Sequence, residues 1–214
     1  MSAERPQLRI SAFMDYVCPF CFIGSERLLR LEDAYDLRVN WCLIEIHPDT
    51  PPEGIVPGDL DYSAEHRAAL DASLAALATA DGLALAPRRL VPNTRHALRL
   101  AEAAKDLGRE PFYRLHRALF HAYFMDGRDI GNDDVLREIS ASCGLPQALP
   151  DQAWSEHPAV DARFARYRAF AAAAGVSGVP TFVFGQRTLT GVQNEETLRT
   201  AAAELSAAEN TPQA

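Results

Sequence analysis

The first fifth of the chain contains three segments whose apolar and polar positions follow different periods. Residues 8–14 are mostly apolar and alternate in part, which predicts a β-strand. Residues 20–35 place leucines among charged side chains at the spacing of an amphipathic helix. Residues 38–46 form a nearly continuous apolar run, which is typical of a strand buried on both faces of a sheet. This order predicts a βαβ unit with parallel strands.

Helical periodicity dominates the middle of the chain, from about residue 63 to residue 174. A loop rich in proline, glycine and acidic residues precedes it at 47–61. Asn93-Thr94 is predicted to cap a helix that stops at Gly108. The apolar face of that helix is predicted to consist of Ala97, Leu100, Ala101, Ala104 and Leu107.

Three further helices are predicted in the same region. The first has Pro111 at its opening position and an apolar stripe formed by Phe112, Leu115, Leu119 and Tyr123. Asn132 is predicted to cap the second, which ends at Gly144. Pro158 opens the third, which continues to Gly175.

After Gly175 the pattern of apolar and polar residues is again typical of β-strands. Two short runs, 181–184 and 187–191, flank Gly185-Gln186, which predicts a β-hairpin, and a last helix is predicted from about Asn194. The chain is therefore predicted to be an α/β protein with the order βαβ, helical insertion, ββα. The corresponding divisions are 1–62 and 175–214 for the two parts of the core and 63–174 for the insertion.

Composition and charge narrow the classes of function. The 214 residues are 48% hydrophobic and 23% charged, and the net charge of −8 argues against a nucleic-acid partner. The chain lacks an uncharged apolar stretch of membrane-spanning length. The N-terminal segment has charges and Pro6 where a signal peptide needs an apolar core, so we expect a cytoplasmic protein. Structural disulfides are rare in that compartment.

Cys18 and Cys21 flank Pro19-Phe20 at the predicted strand-to-helix junction. The opening turn of a helix favours a thiolate at Cys18, because its N–H groups are unpaired and the helix dipole is positive there. Cys21 lies one turn further on, where it can attack a mixed disulfide formed at Cys18. Phe20 brings no positive charge and Asp15 would oppose a thiolate nearby, so we expect only a moderately acidic Cys18.

A zinc site, a structural disulfide and chance spacing of a short motif are the alternatives to a redox-active pair. Zinc would need a second pair of ligands, but Cys42 and Cys143 are isolated and are predicted to be buried small hydrophobes. The histidines form no metal motif, and His116 and His121 are interpreted as ordinary helix residues. Glu45 is interpreted as a surface residue at a strand end rather than as a perturbed carboxylate.

The Val179-Pro180 bond directly precedes a predicted strand. A cis peptide there would leave the backbone of Val179 free to pair with the main chain of a substrate. It would also place a ring without an N–H beside the thiols. A trans proline that merely starts the strand is the alternative.

Together these segments resemble the DsbA family of the thioredoxin superfamily, and within it the FrnE-like cytoplasmic branch. "DYVCPFC" with the later Gly24 resembles that branch's D-x-x-C-P-W-C…G, with Phe20 in place of tryptophan. "NWCLIEIHPDTPPEG" resembles a second segment of the branch, with Leu43 and His47 as departures. "GVSGVPTFVF" follows in the expected order, and the similarity spans about residues 8–200.

The resemblance implies a thioredoxin-like fold whose helical insertion walls the substrate groove. It also implies that Cys18 is the nucleophile, Cys21 the resolving thiol and Pro180 a cis-proline facing them. Pro19, Phe20, Val179 and Pro180 would then contact the substrate. The expected activity is thiol–disulfide exchange with a disulfide-containing protein or small molecule, without a bound cofactor, with glutathione a candidate co-substrate. A redox partner would recycle the pair, in a monomer or a homodimer.

Two other functions remain open from the sequence. Relatives of the same architecture include 2-hydroxychromene-2-carboxylate isomerases and kappa-class glutathione transferases, which usually carry serine where Cys18 stands. A glutathione-dependent isomerase or conjugation assay separates that class from an oxidoreductase. A redox-sensing or holdase-like protein would oxidise its cysteine pair without catalysing the reduction of a substrate such as insulin.

Overall fold

The computed structural model describes residues 5–155 and 157–209. Its sheet has four strands, in the order β2-β1-β3-β4. The strands are β1 (Gln7–Met14), β2 (Asp36–Leu43), β3 (Thr181–Phe184) and β4 (Arg187–Thr190). β1 and β2 are parallel, whereas β3 is antiparallel to both β1 and β4. The predicted parallel pair and hairpin are therefore both present.

Eight helices complete the described part of the chain. They are α1 (Pro19–Leu29), α2 (Ala64–Ala80), α3 (Arg95–Ala104), α4 (Arg109–Phe124), α5 (Asp133–Ser142), α6 (Leu149–Trp154), α7 (Pro158–Ala173) and α8 (Glu195–Glu209). Helices α2 to α7 all lie between β2 and β3 in the sequence, as predicted. The short helix α6 is not among the predicted elements, and residues 81–94 are not helical.

Alternate residues of the strands enter two separate clusters. Ile10, Ala12 and Met14 of β1 join the main core, whereas Phe13 belongs to a smaller cluster on the other face. Such a division follows from the two-residue period of a strand. The smaller cluster is closed by α7, whose Phe170 ring lies 5.1 Å from that of Phe13.

The prediction of a strand over 38–46 that is buried on both faces is wrong. β2 covers 36–43, and Arg38 and Asn40 are exposed. The physical reason is that β2 pairs with β1 alone among the described strands, and α7 covers only the end near Cys42. The chain leaves the ladder after Ile44, whose N–H donates to the Met14 carbonyl.

Two helix predictions also need correction. Pro111 is the third residue of α4, not the first, because Gly108 with φ 110° lets the helix begin at Arg109. Leu107 is 41% exposed rather than on the buried face. A tight 3₁₀ turn over 105–107 follows α3 and turns this side chain away from the apolar face.

Local capping predictions agree with the structure. The Asn132 side chain accepts hydrogen bonds from the N–H groups of Asp134 and Val135, at 2.9 and 3.2 Å. Gly185 has φ 59° in the two-residue connection between β3 and β4, a conformation that glycine adopts without strain. In the described ranges, no helix is both long and apolar enough to cross a membrane.

Candidate active site

Cys18 is the N-cap of α1 and Pro19 is the first helical residue. The N–H of Cys18 donates to the Asp15 carbonyl at 3.2 Å, and its own carbonyl accepts from Cys21 N–H at 3.0 Å. The turn that ends β1 therefore holds Cys18 at the opening of the helix. The first turn of α1 contains no acidic residue, so the positive end of the helix dipole is not neutralised from within that turn.

The structure brings Cys18 against the Val179-Pro180 bond, which is cis. The Cys18 thiol donates to the Val179 carbonyl with an Sγ–O distance of 3.7 Å, across 161 residues of sequence. Cys18 is 6% exposed and Cys21 is fully buried, and both thiols are free. The outer sulfur is thus the one that a substrate can reach.

Gly24 explains how α1 can approach the proline so closely. A Cβ at this position would lie 3.0 Å from Cζ of Phe182 and 3.2 Å from Cγ of Pro180. Both distances are shorter than ordinary van der Waals contact. Glycine at this position therefore permits the contact between α1 and the loop that faces Cys18.

Asp15 is fully buried at the end of β1. Its carboxylate accepts from the N–H groups of Ile46 at 2.8 Å and Val17 at 3.4 Å. Burial nevertheless raises the pKa of Asp15 to about 6, because these bonds and the nearby Thr94 hydroxyl offset only part of the desolvation.

Asp15 acts on the resolving thiol. Burial raises the pKa of Cys21 well above its usual value, and contact with Cys18 raises it further. A hydrogen bond with the Asp15 backbone lowers it, and the negative charge of Asp15 raises it by a smaller amount. Cys21 therefore needs a base before it can act as a thiolate. Asp15, considered from the sequence only as a charge that opposes a Cys18 thiolate, contacts Cys21 through its backbone and acts on it through the charge of its buried carboxylate.

A cavity of about 440 Å³ opens beside Cys18. Of the predicted site residues, Cys18, Pro19, Phe20 and Val179 line it, whereas Cys21 and Pro180 do not. The opposite wall comes from α2 and the loop before it and includes Leu60, Tyr62, His66, Arg67, Leu70 and Leu74. These residues carry no motif of their own, so the resemblance, which implies that the insertion walls the substrate groove, is the sequence signal for this side of the cavity.

His116 is a residue of helix α4, as interpreted from the sequence, but its burial and its hydrogen-bond partners were not predicted. Its buried ring lies 2.9 Å from both Tyr16 Oη and Ser25 Oγ, through Nδ1 and Nε2 respectively. Burial lowers the pKa of His116 to about 3, so the ring is neutral near pH 7. Phe112 and Phe120, four residues to either side, contact the same ring, and this spacing is a signal that the sequence does contain.

The remaining cysteines are buried, as predicted. Burial raises the pKa of Cys42 to about 12 and also raises that of Cys143. Neither thiol is therefore a candidate nucleophile. Over residues 5–155 and 157–209, no group of three or more His, Cys, Asp or Glu side chains is arranged to hold a metal ion.

A four-stranded sheet with a cysteine pair at the β1–α1 junction, facing a cis-proline, defines a protein of the thioredoxin fold. The sequence model of the DSBA-like thioredoxin domain matches residues 9–203. The chain therefore belongs to the DsbA-like family of thioredoxin-fold oxidoreductases.

Solved structures with the same fold come from proteins of differing activity. A probable DsbA oxidoreductase from Streptomyces coelicolor has a TM-score of 0.83 at 24% identity, over 97% of this chain and 93% of its own. A 2-hydroxychromene-2-carboxylate isomerase has a TM-score of 0.72 at 19% identity, over 96% and 100%. The cytosolic disulfide reductase DsbM from Pseudomonas aeruginosa, solved with GSH, has a TM-score of 0.65 at 18% identity, over 95% and 100%.

Proposed function

We propose that the protein is a thiol–disulfide oxidoreductase that uses Cys18 as its nucleophile and Cys21 as its resolving thiol. The observation that carries this proposal is the position of the Cys18 sulfur. It lies at the N-terminus of α1, beside the Val179 carbonyl and at the wall of an open cavity. Thiol–disulfide exchange needs such a reachable thiolate and a second thiol one helical turn away.

In the reducing direction, the Cys18 thiolate attacks one sulfur of a substrate disulfide. A mixed disulfide forms, and the other substrate sulfur leaves as a thiolate that takes a proton from solvent. Cys21 then gives its proton to the Asp15 carboxylate and attacks Cys18 Sγ. The second substrate thiolate leaves, and two electrons have passed from the cysteine pair to the substrate. Oxidation of a substrate dithiol is the reverse sequence.

Asp15 suits the second step because its pKa of about 6 leaves it ionised near pH 7. A base of this strength can accept a proton and release it again at the same pH. Its burial with Cys21 keeps solvent away while the resolving thiolate forms. The raised pKa of the Cys21 thiol makes such a base necessary.

We propose a substrate that is either a small disulfide or an extended segment of a protein, with glutathione as co-substrate. The cavity supports the small molecule, and Arg67 in its lining offers positive charge to a carboxylate, whereas Arg88 is already paired with Asp71. The backbone of Val179 supports main-chain pairing with a peptide. GSH was present in the DsbM structure, which has the same fold. The proposal places this chemistry in the cytoplasm, with a separate reductant or oxidant recycling the pair.

The test measures turnover of insulin and of oxidised glutathione by single cysteine variants. Cys18→Ser should abolish exchange, and Cys21→Ser should accumulate a mixed disulfide that mass spectrometry detects. Cys42→Ser is the matched control, because its buried thiol lies outside the site, and it should retain turnover. Full turnover by Cys18→Ser would refute the proposal.

A glutathione-dependent isomerase or transferase is the second candidate. The fold shared with the 2-hydroxychromene-2-carboxylate isomerase and the basic cavity beside α1 favour it. Such an enzyme activates glutathione without using a second thiol of its own. Isomerisation or conjugation that persists in Cys21→Ser, together with no disulfide exchange by the wild type, would establish this function in place of the first.

A further inference from the structure

Glu45 has a carboxylate that extends from the interior to the surface. Its Oε2 lies 3.3 Å from both Nε and Nη2 of Arg95, a side chain that is itself more than half exposed. Its Oε1 is buried and has no hydrogen-bond partner among the described residues. A buried carboxylate oxygen without a donor is costly, so it calls for an explanation.

Glu45 adjoins the residue whose backbone binds the Asp15 carboxylate. The N–H of Ile46, the next residue, donates to Asp15 Oδ2 at 2.8 Å, and the charge of Glu45 is near enough to raise the pKa of Asp15. Asp15 itself has no exposed surface. A proton that it takes from Cys21 therefore needs a further group to reach solvent.

The other groups around Asp15 do not provide that route. Tyr16 and Tyr123 are phenols whose pKa burial raises, so they remain protonated, and Cys21 is the proton donor. Thr94, at the start of α3, is buried and does not titrate. Within the described part of the chain, Glu45 is the charged group that both acts on Asp15 and contacts a surface cation.

We infer that Glu45 is a positioning residue that acts through Asp15, taking up the proton that Asp15 receives from Cys21 and releasing it to solvent beside Arg95. This inference rests on the proposed function and deepens it. The proton moves from Cys21 Sγ to the Asp15 carboxylate, then to Glu45, then to water, while the electron pair of the new disulfide stays on sulfur. Arg95 holds Glu45 in place and partly neutralises it.

The arrangement gives the helical insertion a role in the chemistry of the core. Arg95 is the first residue of α3, and its side chain also donates to the Pro48 carbonyl at 3.1 Å. The neighbouring Asn93 donates to the Thr50 carbonyl at 2.6 Å. The start of α3 is thus fastened to the segment that follows β2, which fixes Arg95 opposite Glu45.

The experiment follows both steps of exchange with oxidised glutathione between pH 5 and 8, using acid quench and mass spectrometry. The first step is formation of the mixed disulfide at Cys18, and the second is its conversion to the Cys18–Cys21 disulfide. The variants are Glu45→Gln and Arg95→Gln. Glu53→Gln is the control, because this exposed carboxylate lies in the same loop and makes no ion pair with a described residue.

Glu45→Gln should move the inflection of the second step to lower pH by about one unit or less, because a negative charge near Asp15 is removed. It should also slow this step several-fold in dilute buffer, and added imidazole should restore the rate. Arg95→Gln should move the inflection to higher pH, because the charge of Glu45 is no longer neutralised. The first step should be unchanged in all three variants.

The outcomes separate this inference from the proposed function. If Glu45→Gln and Glu53→Gln give the same second step at every pH, the relay is wrong while the exchange activity stands. If the wild type never forms a mixed disulfide, the proposed function is wrong and the relay with it. Melting curves of each variant show whether a change in rate reflects a loss of fold.

Discussion

Asp15 is a carboxylic acid without solvent exposure, held by backbone N–H groups beside the resolving thiol. Because its pKa is higher in the folded chain than in the unfolded one, folding is favoured by protonation of this group. Its contribution to stability is fully present below pH 4 and is lost as the pH rises through about 6. The shift from 3.8 to about 6 corresponds to roughly 3 kcal/mol.

Asp15→Asn should remove that loss of stability. Urea unfolding measures the free energy of unfolding of both proteins between pH 4 and pH 8. The difference in this free energy between variant and wild type should change by roughly 3 kcal/mol over that range, in favour of the variant at high pH. The same variant should slow the second exchange step about 100-fold, because the base is gone. If the free energies of unfolding of wild type and variant changed with pH in parallel, the pKa of Asp15 would not be raised in the folded chain.

Gly24 allows a second residue-level test. Gly24→Ala places a methyl group against Phe182 and Pro180, so we expect a loss of about 1–3 kcal/mol of stability and weaker exchange activity. Gly58→Ala is the control, because a Cβ there meets nothing within 4 Å and the backbone φ is not positive. Equal melting temperatures for the two variants would mean that α1 is not tightly packed on the loop.

At the scale of elements, His116 connects α4 to α1 and to the turn that precedes Cys18. Its two ring nitrogens pair with hydroxyls of Tyr16 and Ser25, so its neutral ring acts once as donor and once as acceptor. This link fixes the start of α1 relative to the insertion. The position of the cysteine pair therefore depends on a helix about 100 residues further along the chain.

His116→Phe should leave two buried hydroxyls without partners. Each unpaired hydroxyl should lower the free energy of unfolding by about 1–3 kcal/mol. Adding Tyr16→Phe and Ser25→Ala to it should recover part of that loss, which urea unfolding measures. His121→Phe is the exposed control. If the triple variant is no more stable than His116→Phe, the hydrogen bonds are not the cause.

The pH dependence of His116 has the opposite sign to that of Asp15. Its pKa is lowered from 6.5 to about 3, so the unfolded chain binds the proton more tightly. The contribution of His116 to wild-type stability should fall as the pH drops from 6.5 toward 3, by roughly 5 kcal/mol at most. His116→Phe should lack this decrease, and a matching decrease in the variant would exclude His116 as its source.

Local patterns were sufficient to predict elements whose signals lie within a few residues. The βαβ start, the Asn132 cap and the Gly185 turn follow from hydrophobic period, capping chemistry and backbone freedom. The end of β2 does not, because Ile46 N–H turns to a side chain, Asp15, that is 31 residues away. The role of His116 was missed for the same reason, since both of its partners are distant in sequence.

At the scale of the whole molecule, the insertion closes the site through α2. Asp81, the C-cap of α2, pairs with Arg27 of α1 at 2.7 Å, and both side chains are nearly buried. Arg30 also reaches Asp81, at 3.0 Å. The C-terminal end of α2 is thereby anchored to the helix that carries Cys21, and the cavity gains its far wall.

Asp81→Asn should break the contact between α2 and α1. We expect it to lower the free energy of unfolding by about 3–5 kcal/mol, because it leaves the Arg27 charge buried without its partner. We expect KM for oxidised glutathione to rise while insulin reduction is retained, since a looser α2 opens the cavity to larger substrates. Glu204→Gln, which breaks an exposed pair with Arg187 outside the cavity, is the control and should leave both unchanged. An equal effect on both substrates would show that α2 does not select by size.

The order of the strands has a consequence for protein synthesis. β3, which carries Pro180 at its entrance, pairs with β1 in the middle of the sheet, although β1 ends at Met14 and β3 begins only at Thr181. A ribosome therefore makes both cysteines long before it makes the loop that completes their surroundings. A nascent chain arrested within the insertion will carry the thiols without the assembled centre, so the centre can form only after translation has passed β3.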